Sequence, residues 1–473
     1  MLVVSGRSNL YSLEGVVIMP RSKMQSGYME LEGKSYIFTY DGELLQLVPK
    51  EQSSIKPYDF LANKNIHLEV LEGTTIGFEN IFFLNCFLKV NRSGYIAKPS
   101  GFVCFDGNER CFDTITFKGG IIDYFYRPNH IIDEKNTCYN YFSGGGGEIK
   151  LRPFDEISKE CEVEVDGKKA NLVLSVTLPG EPINMQVDYN LGKPKSILKL
   201  CFEEKIDVTY FRTIYMWIYN LMTFVNFRKN IRIGEISLGK INDKGKNAPI
   251  AYTHIIDLDK EDIVDIDQII GYYFVFDHIN DLIQIVNKKD LNLLFIPKNL
   301  KSGKYVTPES YMICCTSFES VFNYVFPNAK TEYSQKANEV KEEFLQFIEK
   351  KDEEYKGADS KKRKEFKKYA DMIKLLDFGL GEKFEHCQTK FDKLTVSYRN
   401  RVLMKFGLRQ EEINDMPNKF AKMRNLLMHS SLEEMEDIHV YAYTLARVYI
   451  YIMIMKQAKI EDNLIIQAID LIL

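Results

Sequence analysis

Two patterns of hydrophobic and polar positions divide the chain into a β-type part and a helical part. Up to about Lys205, short apolar runs are broken by turn residues, as in Ser35–Tyr40, Ile81–Val90 and Leu172–Leu178. Alternation with a period of two places successive side chains on opposite faces of a strand. This part of the sequence therefore predicts an antiparallel sandwich or barrel.

Three Asp-Gly pairs separate such runs and mark tight turns. They are Asp41-Gly42, Asp106-Gly107 and Asp166-Gly167. Both residues of a two-residue hairpin turn take positive φ, which aspartate tolerates and glycine adopts freely. Each pair therefore predicts a β-hairpin.

The pattern changes twice after these strands. Asp207–Phe227 has aromatic residues at helical spacing, and strand-like runs return at Ile231–Leu238 and Ile250–Leu258. From about 305 the pattern is helical to the end. We expect an α+β multidomain protein. Residues 1–300 form a β-rich sensor or regulatory region, and residues 305–473 form an all-α bundle. A second boundary near 206 would divide the β-rich region into two parts.

Apolar residues at helical spacing predict five further helices in the second part. They cover Glu309–Phe326, Glu332–Tyr355, Lys361–Leu376, Gly381–Phe406 and Leu432 to about Lys459. The last is apolar on nearly every face, through residues such as Tyr441, Leu445 and Ile452. Such a helix must be covered on every side, and one small bundle seldom suffices, so we expect a homodimer seam along it.

The composition indicates a globular protein that buries large cores, because 45% of the 473 residues are hydrophobic and 27% are charged. With a net charge of −4, any RNA contact depends on a local basic patch. Nine cysteines without a repeating spacing are typical of free thiols in a reducing compartment. We expect a cytoplasmic protein without a signal peptide. The most apolar segment, Val440–Met455, is too short for a bilayer, so we expect no membrane span.

The densest positive patch opens the predicted helix Lys361–Leu376. It comprises Lys361, Lys362, Arg363, Lys364, Lys367 and Lys368. Six cations within about two turns suit a phosphate backbone, and Lys422 adds one more further along the chain. A solvated charged face is the alternative explanation.

The stretch K-M-R-N-L-L-M-H-S-S, residues 422–431, carries the candidate chemistry. Asp415 as a cap and Pro417 in the first turn predict a helix that begins near Met416. The spacing of Ser431 and Glu434 is that of a capping box, so a second helix is expected to begin there.

Three polar residues of this stretch combine into a candidate site. Asn425 and His429 are neighbours on one face, and Phe420, Met423 and Leu427 form a buried stripe on another. Arg424 lies roughly 140° around the helix from His429 and ~7.5 Å below it. It therefore meets the imidazole by wrapping its side chain or from a second copy of the helix, which favours a site shared between two subunits.

These residue types suit cleavage of a phosphodiester. His429 can gain and lose a proton near neutral pH and act as the acid-base group, and Arg424 can present a planar set of donors to a phosphate. Attack of an RNA 2′-hydroxyl on the adjacent phosphate needs no metal and leaves a cyclic phosphate, whereas DNA lacks that hydroxyl. The spacing alone also fits a surface arginine and a histidine that only satisfies the last carbonyl groups of its helix.

The segment R-N-L-L-M-H resembles the signature of HEPN domains, in which an arginine, a polar residue and three variable positions precede a histidine. Arg424, Asn425 and His429 match this pattern one for one. The layout of the β-rich part resembles the N-terminal region of ApeA-type anti-phage proteins. The HEPN resemblance implies an all-helical dimer that cuts RNA without metal or cofactor. It also implies that Glu319, on an early helix, faces the site and that Asn425 orients the histidine or holds a backbone oxygen. A carboxylate on the helix surface is the alternative for Glu319.

We therefore predict a metal-independent endoribonuclease that acts in anti-phage defence by growth arrest, with RNA, a second copy of the chain and a phage-derived trigger as partners. The chief rival is a catalytically silent HEPN-like bundle that serves for dimerisation and partner binding, with the β-rich region as the functional half. A carbohydrate- or peptide-binding β module with a helical oligomerisation tail is a third interpretation.

Overall fold

The computed structural model describes the chain in fourteen segments. These are residues 24–51, 65–91, 93–133, 152–177, 180–181, 190–191, 194–242, 247–256, 268–291, 293–329, 335–374, 379–407, 409–428 and 435–472. The chain divides into two compact units, residues 1–284 and residues 285–473. The first unit is an antiparallel β-rich region and the second is helical, which confirms the α+β class.

The strands of the first unit form one large antiparallel sheet. In chain order they are β1 (Gln25–Leu31), β2 (Lys34–Tyr40), β3 (Leu45–Pro49), β4 (Ile66–Thr75), β5 (Asn80–Asn91), β6 (Gly94–Ala97), β7 (Gly101–Phe105), β8 (Cys111–Gly120), β9 (Lys159–Val165), β10 (Lys168–Thr177), β11 (Gly180–Glu181), β12 (Asn190–Leu191), β13 (Lys195–Asp207), β14 (Ile233–Ile241) and β15 (Asn247–Ile255). β11 and β12 pair only with each other in the described part of the chain, and the other thirteen strands share the large sheet.

Six of these strands close into a barrel in the order β1-β2-β3-β6-β5-β4, because β4 pairs with both β5 and β1. Aromatic side chains fill the barrel. The ring of Phe83 lies edge-on to Phe38 and Tyr40, with ring centroids 5.4 Å apart in both pairs. At the closing point Gly27 faces Thr75, and a Cβ on Gly27 would lie 2.0 Å from the Thr74 carbonyl oxygen. The barrel therefore closes where glycine allows two strands to approach.

The sheet continues beyond the barrel because β5 also pairs with β7. The order from there is β7-β15-β14-β8-β13-β10-β9, so strands from both sides of residue 206 alternate in one sheet and the fold does not divide there. β9 is the terminal strand. Its backbone at Glu164 is met by the side chains of Asn280, whose oxygen accepts from the N–H at 2.9 Å, and Gln284, which donates to the carbonyl.

Two of the three predicted hairpins are confirmed. Asp41-Gly42 connects the paired strands β2 and β3, and Asp166-Gly167 connects β9 and β10 with φ of 48° and 82°. The prediction for Asp106-Gly107 is wrong, because β7 and β8 flank this turn without pairing. β14 and β15 lie between them in the sheet, and a local sequence signal carries no information on such an insertion.

Fifteen helices are described, five of them in or at the end of the first unit. They are α1 (Ile121–Phe125), α2 (Phe154–Ile157), α3 (Phe211–Asn226), α4 (Tyr272–Val275), α5 (Ile279–Val286), α6 (Leu300–Gly303), α7 (Pro308–Val325), α8 (Gln335–Glu354), α9 (Ser360–Lys374), α10 (Leu380–Lys390), α11 (Asp392–Phe406), α12 (Gln410–Asn414), α13 (Met416–Met428), α14 (Asp437–Gln457) and α15 (Asp462–Ile472). Short 3₁₀ turns occur at Pro128–Ile131, Val208–Tyr210, Phe276–His278 and Leu293–Phe295.

The predicted boundary at 300–305 lies further along the chain than the division at 284/285. The intervening segment packs on the helical unit, since Leu291 and Phe295 are buried and the Phe295 ring lies 5.8 Å from Tyr451 of α14. The predicted single helix Gly381–Phe406 is wrong: it breaks at Phe391, whose buried ring packs near Phe326 and Tyr449. No glycine or proline marks this break.

α14 is the central helix of the second unit, and its residues from Leu445 to Met455 are all buried. It packs against α7, where the Tyr311 and Tyr443 rings stack with centroids 6.0 Å apart. By length and composition α14 could cross a membrane, yet 89% of its most apolar window is buried inside the protein, as in the core helix of a soluble protein. The inference that a second copy must cover this helix is wrong, because the chain covers it by itself.

Candidate functional site

The helix that carries the arginine begins where the sequence predicts. α13 starts at Met416, with Pro417 in its first turn, and the backbone carbonyl of Asp415 accepts from the Lys419 N–H at 3.0 Å. The following helix, α14, starts at Asp437, later than the predicted Leu432, and is capped by Glu436, whose N–H donates to Nδ1 of His439 at 3.1 Å. The predicted capping box of Ser431 and Glu434 lies outside the described residues.

Two buried side chains fix the orientation of α13. Phe420 and Met423 are fully buried, as the predicted stripe requires, and the Phe420 ring centroid lies 4.9 Å from Phe384 of α10 and 5.5 Å from Tyr311 of α7. Leu427 is only partly buried. Because Phe420 lies between α7 and α10, the next turn of α13 is directed along the same two helices.

Arg424 lies on that next turn and contacts Glu319 of α7. Its Nη2 is 3.8 Å from Oε2 of Glu319, and its Nη1 donates to Oδ1 of Asn425 at 3.2 Å. The side chains of Arg424 and Glu319 are 34% and 29% exposed. The structure therefore brings together three predicted site residues from two helices that are about a hundred positions apart in the chain.

A second cation, absent from the sequence prediction, completes this cluster. Nζ of Lys383 on α10 lies 3.4 Å from Oε1 of Glu319, and the Lys383 side chain is only 10% exposed. One carboxylate thus stands between two cations, which leaves a net positive charge. Lysine is seldom buried without a partner, so Lys383 on the apolar face of α10 was the signal that an acidic partner lies opposite.

Cys315, one turn before Glu319, is buried beneath the cluster. Burial raises the pKa of its thiol, and the nearby Cys314 and Glu319 add to the increase while Arg424 opposes it. This thiol therefore stays protonated at neutral pH. Since the thiolate is the nucleophilic form of cysteine, Cys315 does not serve as a nucleophile here.

The structure describes only part of the predicted motif. Asn425 and Lys422 are exposed on α13, while His429 lies outside the described residues, as do Ser431 and Glu434. The described part of the site is therefore the arginine, its amide neighbour and the carboxylate that holds it.

The lysine-rich patch lies on α9, which packs against α8 as a helical hairpin. Arg363 forms two hydrogen bonds to Asp352, from Nε at 3.0 Å and from Nη2 at 3.1 Å, and this contact lowers the pKa of the aspartate. Nζ of Lys362 lies 5.3 Å from the centre of the Tyr355 ring. Arg363 thus has a structural role in the hairpin.

The other four cations of the patch are exposed. They are Lys361, Lys364, Lys367 and Lys368. Among the described residues, no hydrogen bond or ion pair joins this patch to Glu319, Arg424 or Asn425. The structure therefore describes two separate positive regions on the helical unit.

Within the described segments, no three His, Cys, Asp or Glu side chains cluster closely enough to hold a metal ion. His386 and Cys387, which are adjacent on α10, pack against other side chains of the helical unit. The His386 ring lies 5.0 Å from Phe326, and Sγ of the buried Cys387 lies 3.9 Å from the Met453 sulfur.

Comparison with known proteins returns no match, whether the comparison is with protein-family models, curated proteins or solved structures. The chemistry of the site is therefore argued from its geometry. A guanidinium held by a carboxylate and an amide at a partly exposed position can bind an anionic oxygen, because its planar donors match the geometry of a phosphate.

Proposed function

We propose that this protein is a metal-independent endoribonuclease of the HEPN type. The observation that carries the proposal is the contact between Glu319 and Arg424. An acidic residue of an early helix holds the arginine of the R-N-L-L-M-H segment at a partly exposed position, with Asn425 beside it. The HEPN resemblance implies this combination of an early acidic residue and the motif arginine.

The proposed reaction assigns one role to each residue. His429 takes the proton of an RNA 2′-hydroxyl as that oxygen attacks the adjacent phosphorus and the bond to the 5′-oxygen breaks; the 5′-oxygen takes a proton from water, and the imidazolium returns its proton to solvent. Arg424 binds the phosphate and the charge that develops on it. Asn425 orients the histidine or holds a backbone oxygen. Glu319 and Lys383 do not touch the substrate, and Glu319 positions Arg424.

The assembly and biological role follow from the same proposal. Two copies of the R-N-L-L-M-H segment would supply the arginine and the histidine of one cleft, so the active form is a homodimer in the cytoplasm. An RNA-cutting enzyme is toxic to its own cell, which requires restraint at rest. Release by a phage-derived trigger that acts on the β-rich unit would make it an anti-phage defence protein.

The rival is a catalytically silent helical bundle with the β-rich unit as the functional half. The contact between Glu319 and Arg424 also fits this silent bundle, because an arginine that already has an acidic partner could contribute to stability alone. A nuclease assay separates the two proposals.

The assay incubates purified full-length protein with total RNA in EDTA, beside Arg424→Ala and His429→Ala. Loss of a group that stabilises transition-state charge costs about 10²–10³-fold in rate, so both variants should fall by at least ~100-fold. The RNA products should end in a cyclic phosphate, and DNA of the same sequence should stay intact.

Arg409→Ala is the matched control. Arg409 is an exposed arginine of the same unit that pairs with Glu412 of its own turn, and its loss should leave cleavage unchanged. Cleavage that survives in both active-site variants would assign the activity to another site or to a contaminant. A wild-type protein that cuts no RNA in the presence or absence of metal would favour the silent bundle.

A further inference from the structure

Three phenylalanine rings hold α7, α10 and α13 together beneath the carboxylate of Glu319. The rings of Phe318, Phe384 and Phe420 pack on one another, with centroid distances of 4.9 Å in one pair and 6.0 Å in the other two. All three rings are fully buried. Each belongs to a residue that is next to, or one turn away from, a member of the charged cluster. The packed rings therefore determine where the charged side chains meet.

α10 and α13 approach each other closely at Gly381. A Cβ on this glycine would lie 3.2 Å from the carbonyl oxygen of Pro417 and 3.7 Å from the Cβ of Ala421. Lys383 follows two residues later on α10, and its side chain is only 10% exposed. Since lysine is seldom buried without an acidic partner, its ammonium group stays beside Glu319 instead of turning to solvent.

The two oxygens of the Glu319 carboxylate have different partners. Oε1 lies 3.4 Å from Nζ of Lys383, and Oε2 lies 3.8 Å from Nη2 of Arg424. The second distance is longer than a hydrogen bond, so the carboxylate holds Arg424 by charge alone. Arginine and a carboxylate frequently form two parallel hydrogen bonds when both oxygens are available. Here Lys383 occupies one oxygen, and the arginine is held loosely.

The loose contact leaves donors of Arg424 for another acceptor. A guanidinium group has five N–H donors. Among the described residues, Asn425 alone accepts a hydrogen bond from it, at 3.2 Å, and the Arg424 side chain is 34% exposed. A phosphate that binds this guanidinium would therefore displace no hydrogen bond to Glu319.

We propose that Lys383 is a positioning residue that keeps Arg424 available to an RNA phosphate, because it holds one oxygen of Glu319 and so prevents a two-hydrogen-bond pair between the carboxylate and the arginine. This role rests on the proposed function in one respect, since it takes Arg424 to bind a phosphate of RNA. Without Lys383 the freed oxygen accepts from Arg424, and the phosphate then competes with a bidentate pair.

Fluorescence anisotropy of the full-length protein with a 2′-O-methyl RNA oligonucleotide tests this role, because the probe has no free 2′-hydroxyl and is not cleaved. Lys383→Met removes the ammonium group and keeps an unbranched side chain. It should weaken binding about tenfold or more, and Lys383→Leu should do the same. Addition of Glu319→Gln to Lys383→Met should restore most of the affinity, because the charge that holds Arg424 is then gone.

Two further variants separate positioning from the loss of one positive charge. Lys390→Met removes an exposed lysine two turns further along α10, whose ammonium group lies over the Phe326 ring, and it should change the affinity by less than about twofold. In an Arg424→Gln background, Lys383→Met should cause no further loss, because it acts through the arginine. A lysine that contacts RNA itself would weaken binding in both backgrounds, and this result would overturn the proposal.

Cleavage kinetics provide a second readout. Lys383→Met should raise KM for RNA about tenfold and leave kcat near its wild-type value, because Arg424 leaves Glu319 in the bound state and in the transition state alike. Arg424→Gln should lower kcat. Wild-type kinetics in Lys383→Met would refute the role of Lys383 and leave the nuclease intact. A protein that binds the oligonucleotide through Arg424 but cuts no RNA would refute the nuclease and leave the role of Lys383 intact.

Two binding results would also overturn the proposal. One is wild-type affinity of Lys383→Met in protein whose melting temperature shows that it is folded. The other is wild-type affinity of Arg424→Gln, because Arg424 would then bind no phosphate.

Discussion

Glu319 joins three helices through one carboxylate. It belongs to α7 and contacts Lys383 of α10 and Arg424 of α13. A partly buried carboxylate between two cations gains more than an exposed pair, because less water screens the contact. Its removal leaves Lys383, which is almost fully buried, without its acidic partner.

Replacement of Glu319 should therefore destabilise the helical unit. We expect Glu319→Ala to lower the free energy of unfolding by about 2 kcal/mol, the typical cost of an uncompensated buried polar group. Chemical denaturation measures the change. Glu319→Asp retains the charge and should recover part of the loss.

Glu343→Ala provides the control, because Glu343 is an exposed carboxylate on α8 whose loss should change stability by less than about 0.5 kcal/mol. Equal stability of Glu319→Ala and the wild-type protein would contradict the structural role of the cluster.

The sequence predicts Arg424, Asn425 and Glu319 as site residues, and the structure places these three together. The position of Lys383 on the apolar face of α10 indicates an acidic partner, but the sequence does not identify that partner as Glu319. Spacing within one helix determines which residues share a face, whereas contacts between α7, α10 and α13 depend on how Phe420 packs between them. Local spacing therefore identifies partners on one helix and misses those on another.

At the level of elements, the barrel depends on one close approach between β1 and β4. These strands pair at Gly27 and Tyr28, and the Thr74 carbonyl lies where a Cβ of residue 27 would be. We expect Gly27→Ala to lower the free energy of unfolding by about 1–3 kcal/mol, because β4 must move to admit the methyl group. Thermal or chemical denaturation measures the loss.

Gly77→Ala is the matched control. Gly77 lies in the turn after β4, where the nearest atom to an added Cβ is 3.6 Å away and φ is not positive, so the same substitution should be tolerated. If both variants have wild-type stability, the barrel does not depend on this approach.

The sequence predicts most individual elements and little of their arrangement. The runs Ser35–Tyr40 and Ile81–Val90 coincide with β2 and β5, and the predicted helix Glu309–Phe326 coincides with α7. The barrel closure and the insertion of β14 and β15 between β7 and β8 rest on pairings of residues far apart in the chain. Alternation determines on which face of a strand each side chain lies, but not which strands pair with it. Local sequence patterns therefore do not predict these two features.

At the level of the whole molecule, α14 is too buried to form a dimer interface, so the proposed composite site needs another surface. Val340, Phe344 and Phe347 lie on one face of α8, and Tyr369 lies on the neighbouring α9. All four side chains are more than half exposed. Exposed apolar side chains on one helix face suit contact with another apolar surface, and under the proposed function that surface would belong to a second copy of the chain.

We therefore expect the double variant Phe344→Glu/Phe347→Glu to shift the protein from dimer to monomer, because it introduces like charges into an apolar contact. Sedimentation velocity at micromolar concentration measures this. Met404→Glu replaces an isolated apolar residue that is 85% exposed and should leave the assembly unchanged. A wild-type monomer would remove the composite site, and a dimer that survives the double variant would place the interface elsewhere.

The end of the large sheet has a consequence for how the protein behaves when it is abundant. Side-chain amides from α5 occupy the backbone N–H and C=O of Glu164 on β9, and the exposed carboxylates of Glu160, Glu162 and Glu164 alternate along that strand. An incoming β-strand from another molecule would have to displace these amides and bury these charges. The fold thereby discourages growth of fibrils from this edge of the sheet.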